Sequence, residues 1–395
     1  MDRKFTVIIP TRERADTLVH SIKTCIAQEY DQLEILVCDN ASQDHTKDVV
    51  HSFNDSRIRY INPGHRVSMM ENFEFAFSHV QNGYVISMGD DDGLTRNSVQ
   101  KANQMLADSR CEAIVSDFAH YMWPNVKTDS ANQLLFSTKT GYEVRSSKQS
   151  LKAVLYGRHP FNHVPCIYYG YLNSEILNRL RQKHGKLFLT NIVDVFSSVA
   201  VSLSLPQYCF SFEPLAINGT SNHSNGASFL KVTKDDTEKN RWFSENTTTS
   251  LASFTTSPSI KMMLAEACHA LIVNNSDLLK QGEVDFKVLF SQALQDVRLY
   301  PKSDIDPMAI KKTANALQVE IREASTWQIF LATIELYAQR LPKFFQSSIV
   351  DVSLMSVHDV NAAAASLQAM CSYAQQAKLS SKFDLLKSRF LTVRK

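Results

Sequence analysis

Three consecutive aspartates, Asp90, Asp91 and Asp92, form the segment of this sequence with the clearest capacity for chemistry. Neighbouring carboxylates repel one another and raise each other's pKa, so the cluster is unfavourable unless solvent or a cation neutralises its charge. Mg²⁺ and Mn²⁺ bind one or two carboxylates and complete their coordination with substrate phosphates. The triplet is therefore either a solvated acidic turn or a site for Mn²⁺ or Mg²⁺, and we favour the metal site.

Two other polar segments fall at comparable places in the chain. Residues 10–14 (Pro-Thr-Arg-Glu-Arg) follow one apolar run, and residues 39–44 (Asp-Asn-Ala-Ser-Gln-Asp) follow the next. An aspartate after a strand is usually a turn residue or a helix cap, so neither segment alone indicates function. In an open parallel sheet, however, ligands bind beyond the carboxyl ends of the strands. The three polar segments together predict one binding site at that edge.

The elements that would position these residues are visible as hydrophobic periods. Short runs rich in β-branched residues, at 5–9, 33–38, 58–61, 84–88 and 113–118, alternate with stretches whose apolar residues recur at helical spacing. Strands that alternate with helices predict βαβ units and a mostly parallel sheet flanked by helices. The expected fold class is therefore α/β, with a Rossmann-like sheet.

The character of the sequence changes towards the C-terminus. Residues 218–259 are rich in Ser, Thr and Asn, as in a long loop. Beyond them, apolar residues recur at helical spacing, as over 260–271 and 327–341, with no strand signal of comparable strength. The predicted parts are a ligand-binding α/β domain at 1–230, a polar linker at 231–259 and an α-helical domain at 260–395.

Composition excludes several classes of function. Lys and Arg number 42 against 40 Asp and Glu, a balance that a dedicated nucleic-acid binder would not show. The sequence contains no Gly-x-Gly-x-x-Gly or Gly-Lys-Ser/Thr loop, which argues against dinucleotide and P-loop chemistry. Residues 5–9 are too short an apolar stretch for a signal peptide, and the seven cysteines show no paired pattern. We therefore expect a cytoplasmic protein with reduced thiols.

The three polar segments and the strands before them resemble the family 2 glycosyltransferases of GT-A fold. The match rests on Thr-Val-Ile-Ile-Pro-Thr-Arg at 6–12, Leu-Val-Cys-Asp-Asn-Ala-Ser-Gln-Asp at 36–44 and Ser-Met-Gly-Asp-Asp-Asp at 87–92, in the family's order and spacing. It covers residues 4–110 well and residues 111–225 loosely. The resemblance implies a donor site that holds the base and ribose of a nucleoside-diphosphate sugar, formed by Pro10, Thr11, Arg12, Arg14 and Asp39.

The same resemblance assigns roles to the acidic triplet and to a late histidine. The triplet would be the family's Asp-x-Asp motif, in which Asp90 and Asp91 contact the donor and Asp91 and Asp92 bind the metal. Gly89 stands where many family members carry the first aspartate of the motif. Enzymes of this fold often return a late histidine to the metal or the diphosphate, so His223 is either a third metal ligand or an exposed loop residue.

Sugar transfer with inversion needs a base that deprotonates the acceptor hydroxyl. In the family this base is a carboxylate at the start of a later helix, which here corresponds to Asp194, preceded by Val193 where the family usually has Glu. A plain N-terminal aspartate, stabilised by the helix dipole, is the alternative. The aromatic residues at 168–171 fall where the family's acceptor wall would lie, although such clusters are more often core.

By this resemblance the protein is expected to be an inverting, metal-dependent glycosyltransferase. It would move a sugar from a nucleoside-diphosphate donor, with UDP or dTDP favoured, to a hydroxyl of a glycan or lipid-linked glycan in bacterial capsule or lipopolysaccharide O-antigen synthesis. The alternative is a non-catalytic nucleotide-sugar or glycan-binding module with a decayed site. The basic amphipathic segment 378–395 would pack on the domain, contact the inner face of the cytoplasmic membrane or mediate homo-oligomer formation.

Overall fold

The structure is a computed structural model that describes residues 2–126, 129–224, 254, 259–274, 277–300, 305–321 and 347–380. Three regions named above lie wholly or mostly outside the described residues: the helical segment predicted at 327–341, the predicted linker 231–259 and the basic tail from residue 381 onwards. Within the described ranges, none of the helices is both long and apolar enough to cross a membrane.

Most of the described strands lie in the N-terminal half of the chain, where they alternate with helices. In chain order they are β1 (Phe5–Thr11), β2 (Leu33–Asp39), β3 (Ile58–Ile61), β4 (Tyr84–Ser87), β5 (Gly93–Leu94), β6 (Ala113–Ser116), β7 (Ala119–Met122), β8 (Gln133–Ser137), β9 (Tyr142–Ser146), β10 (Gly170–Asn173), β11 (Gln207–Ser211), β12 (Ala216–Thr220) and β13 (Ser347–Asp351). The α-helices are α1 (Ala15–Ile26), α2 (Thr46–His51), α3 (Met69–Ser78), α4 (Ser98–Ser109), α5 (Ser147–Leu155), α6 (Ser174–His184), α7 (Val193–Ser204), α8 (Ile260–Val273), α9 (Phe286–Leu299), α10 (Pro307–Ala316) and α11 (Val360–Ser380). Short 3₁₀ turns cover Phe161–His163 and Ser353–Met355.

The first sheet has eight strands in the order β3-β2-β1-β4-β10-β6-β11-β9. β1 pairs in parallel with β2 and β4, β2 pairs in parallel with β3, and β10 runs antiparallel to both of its neighbours. In this register Thr11 lies beside Asp39, and Ser87 beside Ile8. The predicted α/β class with a mostly parallel sheet is confirmed.

Burial on both faces explains the central place of β1 in the sheet. Val7, Ile8 and Ile9 are fully buried. Ile8 shares a hydrophobic cluster with residues of α3, whereas Val7 and Ile9 share another with residues of α1. A continuous β-branched run of this kind is typical of a parallel strand that is covered by helices on both faces.

The second sheet has five strands in the order β13-β8-β7-β12-β5. β12 pairs in parallel with β7 and antiparallel with β5. Because β5 begins at Gly93, directly after the acidic triplet, its pairing with β12 brings the residues that follow β12 to the carboxyl edge of the first sheet. The sequence analysis did not predict this second sheet.

Beyond residue 259, the described ranges form helices, as predicted, apart from β13 and short connecting segments. Helix α8 packs against α7, and both helices contribute residues to a single hydrophobic cluster. Helix α11 packs against α1, where the His20 imidazole lies 3.1 Å from a carboxylate oxygen of Asp359. Strand β13 pairs with β8 and joins the second sheet. The helices of this part therefore share their core with the α/β part of the chain.

Candidate active site

Asp39, the last residue of β2, is buried and binds four hydrogen-bond donors of the protein. Oδ1 accepts from the Ser42 N–H at 3.0 Å and from the Ser42 hydroxyl at 2.6 Å. Oδ2 accepts from the Tyr60 hydroxyl at 2.6 Å and from the Asn62 amide at 3.4 Å. A carboxylate offers about four lone-pair sites, so a nucleotide base bonded to Asp39 would have to displace a protein donor. The long contact with Asn62 is the easiest to displace.

Glu13 holds the loop after β1 against the loop after β2. Its carboxylate accepts hydrogen bonds from the N–H groups of Gln43 at 2.9 Å and Asp44 at 3.1 Å, and its own N–H donates to the Ser42 hydroxyl at 2.8 Å. Glu13 has a φ of 55°, which costs a residue with a side chain about 1–2 kcal/mol. These hydrogen bonds offset that cost and fix the path of the chain on either side.

The predicted donor-site residues of the first segment lie at the end of β1 and just after it. Pro10 and Thr11 are the last residues of β1, and Arg12 follows them. The Thr11 hydroxyl donates to Asp90 Oδ2 at 2.7 Å, and Arg14 donates to Asp90 Oδ1 at 3.0 Å. Burial raises the pKa of Asp90, while the charge of Arg14 lowers it. The structure therefore joins the first polar segment to the acidic triplet.

Asp91 contacts the residues that follow β12. Its Oδ2 accepts hydrogen bonds from the Ser221 N–H at 3.3 Å, from the Ser221 hydroxyl at 2.6 Å and from the Ser224 hydroxyl. Its backbone carbonyl accepts from the Trp123 indole at 2.9 Å. In the described part of the chain, every hydrogen bond to the Asp91 carboxylate reaches Oδ2, so Oδ1 is the atom that remains for a ligand.

Asp92 is enclosed by protein donors. Oδ2 accepts from the Gly89 N–H and the Tyr169 hydroxyl, each at 2.6 Å, and Oδ1 accepts from the Gly219 N–H at 2.8 Å. Burial and then the charge of Asp91 raise the pKa of Asp92 to about 8. Without a neutralising partner, the buried triplet is therefore electrostatically strained.

The contacts of His223 with the site are made by its backbone. Its carbonyl accepts a hydrogen bond from Arg14, and its N–H donates to the Ser221 hydroxyl at 3.3 Å. Among the residues that the structure describes, no three His, Cys, Asp or Glu side chains are grouped to hold a metal ion. The assignment of Asp91, Asp92 and His223 as metal ligands stays a prediction.

Gly89 leaves a small cradle that is lined by oxygen atoms. A Cβ at this position would lie 2.8 Å from Asp92 Oδ2, 2.8 Å from the Tyr168 hydroxyl and 3.2 Å from Asp91 Oδ1. Oxygen ligands beside buried carboxylates suit a hard divalent cation. The residues present therefore fit Mn²⁺ or Mg²⁺ at Asp91, and a cation there would also relieve the repulsion within the triplet.

Placing an aspartate at position 89 is expected to damage the site. In a Gly89→Asp variant the new side chain has no room, and a further carboxylate joins the crowded triplet. We expect the free energy of unfolding to fall by about 2 kcal/mol or more, measured by urea denaturation. Gly64→Asp is the control: nothing lies within 4 Å of a Cβ added there, but its φ of 84° adds backbone strain of about 1–2 kcal/mol. A loss in Gly89→Asp no larger than that strain would show that the cradle can widen freely.

Asp194 lies in the first turn of α7 and borders the same site. It is half-buried, and its Oδ1 accepts a hydrogen bond from the Val195 N–H at 2.8 Å. Burial raises the pKa of Asp194. Burial also raises the pKa of Tyr168 well above its ordinary value, and the charges of the triplet and of Asp194 add to that rise. The Tyr168 phenol therefore lies within electrostatic reach of all four carboxylates.

A backbone link connects the end of β4 to the start of α7. The Ser87 N–H donates to the Ile167 carbonyl at 2.9 Å, and the Tyr169 N–H donates back to the Ser87 carbonyl at 3.0 Å. The Ser197 hydroxyl accepts from the Ile167 N–H at 3.2 Å and donates to the Asp194 carbonyl at 2.9 Å. The acidic triplet and the predicted base are thus positioned by one hydrogen-bonded chain of residues.

Four residues that hydrogen-bond the carboxylates of the triplet were not predicted from the sequence as its partners, namely Tyr169, Gly219, Ser221 and Ser224. The sequence signal for three of them was the density of small polar residues around the end of β12, which indicated a loop but no contact with the triplet.

The site that results combines buried carboxylates, an arginine and a half-buried carboxylate at a helix start. This arrangement can bind a phosphorylated ligand through a cation and accept a proton beside it.

Part of the chain is similar to known glycosyltransferases. Residues 6–169 match the model of the family described as "Glycosyl transferase family 2". The chain is 33% identical over 108 residues to the GalNAc(5)-diNAcBac-PP-undecaprenol beta-1,3-glucosyltransferase of Campylobacter jejuni, a match that covers 26% of this chain and 35% of that protein. It is 17% identical over 195 residues to the glycosyltransferase GlyG of Streptococcus pneumoniae, which covers 48% of this chain and 62% of that protein. The chain therefore spans less than two thirds of the length of these relatives.

A solved structure with a similar arrangement is that of S. aureus TarS 1–349 in complex with UDP-GlcNAc. The alignment covers 81% of this chain and 93% of that one, at 12% sequence identity and a TM-score of 0.45.

Proposed function

We propose that this protein, in which residues 6–169 form a family 2 glycosyltransferase domain, is an inverting, metal-dependent glycosyltransferase. The observation that carries the proposal is the placement of the acidic triplet and Asp194 around Tyr168, at the carboxyl edge of a parallel sheet. That edge is where open α/β sheets bind ligands. Carboxylates beside a cation cradle, together with a separate carboxylate at a helix start, suit release of a diphosphate and deprotonation of an acceptor.

The proposed donor is a nucleoside-diphosphate sugar. Thr11 and Asp90 would contact its ribose, while Arg12 and Arg14 supply the positive charge that a diphosphate requires. Asp39 would accept a hydrogen bond from the base once its long contact with the Asn62 amide opens. The family resemblance favours UDP or dTDP as the nucleotide.

The proposed cation is Mn²⁺ or Mg²⁺, and its site centres on Asp91. Asp92 and His223 are the other two ligands that the sequence predicts. When bound, such a cation stabilises the charge that develops on the departing diphosphate. The chain's own contribution is to hold Asp91 Oδ2 through the hydroxyls of Ser221 and Ser224, which orients Oδ1 towards the cradle at Gly89.

The proposed base is Asp194. Its raised pKa brings it closer to the pH at which a carboxylate can accept a proton from a hydroxyl in the transition state. Inversion follows if the acceptor oxygen attacks the sugar from the face opposite to the diphosphate. Asp194 would take the acceptor's proton as the new glycosidic bond forms and the bond to the diphosphate breaks.

The proposed acceptor is a glycan or a lipid-linked glycan of bacterial surface polysaccharide synthesis. The name of the Campylobacter jejuni relative describes an acceptor linked through diphosphate to undecaprenol. We place the reaction in the cytoplasm, at the inner face of the cytoplasmic membrane. The basic segment 378–395 would provide the membrane contact, and its residues beyond 380 lie outside the described ranges.

A thermal-shift panel of nucleoside diphosphates, each with and without Mn²⁺, tests the donor site. A ligand that binds only the folded state at 100 times its dissociation constant stabilises the protein by about 2.7 kcal/mol. We expect a shift of the melting temperature with one nucleotide, dependent on Mn²⁺. The metal-dependent part should disappear in Asp91→Asn and persist in Asp108→Asn, an exposed aspartate of α4.

The alternative is a non-catalytic module with a decayed site. A folded protein that shows no shift with any nucleotide, with or without Mn²⁺, would favour that alternative and make the triplet a solvated turn. A shift that survives in Asp91→Asn would leave a nucleotide site but contradict the metal site.

A further inference from the structure

The segment 218–224, which covers the end of β12 and the residues after it, is called the returning loop here. Its Gly219 is hydrogen-bonded to Asp92, its Ser221 and Ser224 are bonded to Asp91, and the carbonyl of its His223 accepts from Arg14. Each aspartate of the triplet takes part, because Arg14 is itself bonded to Asp90. The geometry of the acidic turn and that of the returning loop are therefore interdependent.

The contact between Asp92 and Gly219 is the most enclosed of the three. Asp92 is 1% exposed, and both of its carboxylate oxygens accept hydrogen bonds of 2.8 Å or shorter. Gly219 approaches so closely that a Cβ there would lie 1.8 Å from the Asp91 carbonyl oxygen. A ligand for a metal ion needs a free lone pair that faces the ion, and both lone pairs of Asp92 Oδ2, the oxygen beside the cradle at Gly89, already accept hydrogen bonds.

Tyr169 links Asp92 to the start of the returning loop through its hydroxyl group. Its hydroxyl donates to Asp92 Oδ2 at 2.6 Å and accepts from the Asn218 amide at 2.5 Å. Its backbone has a φ of 57°, an unfavourable conformation that persists only where the surroundings determine it. The ring packs on Phe118 with centroids 4.9 Å apart. Tyr169 therefore ties the first residues of the returning loop to Asp92.

We propose that Asp92 and Tyr169 are positioning residues, which fix the returning loop so that its serines orient Asp91, and that Asp92 is not a metal ligand. This inference rests on the proposed function, since it concerns the cation site at Asp91. A cation in the cradle at Gly89 would have to displace one of the two short hydrogen bonds to Asp92 Oδ2, whereas Asp91 Oδ1 gives up none. The sequence resemblance placed Asp92 on the metal, so the proposal changes its role.

Three variants of the full-length protein test the proposal: Tyr169→Phe, Asp92→Asn and Asp91→Asn. Mn²⁺ binding without nucleotide is measured by electron paramagnetic resonance, and the mobility of the returning loop by hydrogen exchange of peptides that cover 216–224. For Tyr169→Phe and Asp92→Asn we expect loop exchange to rise about tenfold, the effect of one lost buried hydrogen bond, and the Mn²⁺ dissociation constant to stay within about twofold. For Asp91→Asn we expect Mn²⁺ affinity to fall at least about tenfold, because a charged ligand is lost.

The matched control is Tyr171→Phe. Tyr171 is fully buried, and its hydroxyl lies 2.7 Å from that of Ser98, away from the returning loop. This variant should lose a similar amount of global stability without faster exchange in 216–224. In transfer assays, Tyr169→Phe should lower kcat more than it raises KM for the donor.

Two outcomes would overturn the proposal. The first is loss of Mn²⁺ binding in Asp92→Asn as severe as in Asp91→Asn, which would make Asp92 a ligand. The second is unchanged exchange of the returning loop in both Tyr169→Phe and Asp92→Asn. If the proposed function is wrong, the parent protein will bind neither Mn²⁺ nor a nucleotide. The hydrogen-exchange measurement would still show, in that case, whether Asp92 and Tyr169 hold the returning loop.

Discussion

Replacing Asp194 with asparagine is expected to lower kcat by about 10²- to 10⁴-fold, the contribution of a positioned base, and to leave donor binding unchanged. Asparagine keeps the size of the side chain and the carbonyl oxygen that accepts from the Val195 N–H at 2.8 Å. It cannot accept the proton of an acceptor hydroxyl. Single-turnover kinetics at saturating donor, together with calorimetric titration of the donor, separate the two effects.

The pH dependence of transfer should report the same carboxylate. Burial raises the pKa of Asp194 above its ordinary value. Because a base must be ionised to act, kcat should fall as the pH drops through that raised pKa. The acidic limb of the profile should therefore lie above about pH 3.9, the pKa of an unperturbed aspartate. The residual activity of Asp194→Asn should lack this limb.

The free energy of unfolding distinguishes a catalytic base at Asp194 from an aspartate that only interacts favourably with the helix dipole. Since the folded-state pKa of Asp194 lies above the unfolded value, the free energy of unfolding decreases as the pH rises from the unfolded pKa to the folded one. At neutral pH, Asp194→Asn should therefore be at least as stable as the parent. A plain N-terminal aspartate would instead contribute about 0.3–1 kcal/mol, as expected for the control Asp48→Asn in the first turn of α2. Reduced stability with unchanged kcat would contradict the base assignment.

The local sequence predicted the edge of the sheet well. The run at 5–9 became β1 (Phe5–Thr11), and the run at 58–61 became β3 (Ile58–Ile61) with the same bounds. Strand β1 follows from a β-branched run that is buried on both faces, and burial of that kind leaves a clear pattern in the sequence. Strand β3 lies at the edge of the sheet and is only partly buried, so its β-branched composition is the signal that identifies it. Aspartates after such runs could be placed at one edge because parallel strands end together. That argument correctly joined Thr11 and Asp90 in space.

The returning loop could not be predicted in the same way. The Ser221 hydroxyl bonds an aspartate 130 residues earlier in the chain, and such a contact leaves no periodic pattern. It depends on the second sheet, where the two-residue strand β5 pairs with β12. Strand β13 also escaped prediction, because its residues read Ser-Ser-Ile-Val-Asp, and pairing with β8 rather than propensity makes it a strand. Short strands whose partners are distant are decided by tertiary contacts.

At His223 the sequence predicts a side chain that binds the metal, whereas the contacts seen in the structure are made by the backbone. The sequence suggested that this residue returns to the metal site, and its backbone does reach Arg14, which is bonded to Asp90. The contacts that hold this part of the loop to Asp91 come from Ser221 and Ser224 instead. Histidine is a common metal ligand, so its residue type alone suggests a role. Serine is common in loops, so its role can be recognised only when the residues that it contacts are known.

Replacing Gly219 with alanine is expected to be the most damaging single-methyl change in the site. The added Cβ would lie 1.8 Å from the Asp91 carbonyl oxygen and 2.8 Å from the Trp123 indole nitrogen. The first neighbour is backbone, and the second is held by its own hydrogen bond to that carbonyl at 2.9 Å. The returning loop must therefore move, which breaks the bond from the Gly219 N–H to Asp92. We expect a loss of about 4 kcal/mol or more in the free energy of unfolding, and the loss of metal-dependent nucleotide binding.

The control for this prediction is Gly141→Ala. Gly141 has a φ of 83° and nothing within 4 Å of an added Cβ, so alanine there incurs only backbone strain of about 1–2 kcal/mol. Urea denaturation and the nucleotide thermal shift, applied to both variants, separate strain from steric overlap. If Gly219→Ala loses no more stability than the control and still binds a nucleotide with Mn²⁺, then the loop can leave the acidic turn at little cost. The triplet would in that case form the donor site without the returning loop, and the positioning role of Asp92 would fail with it.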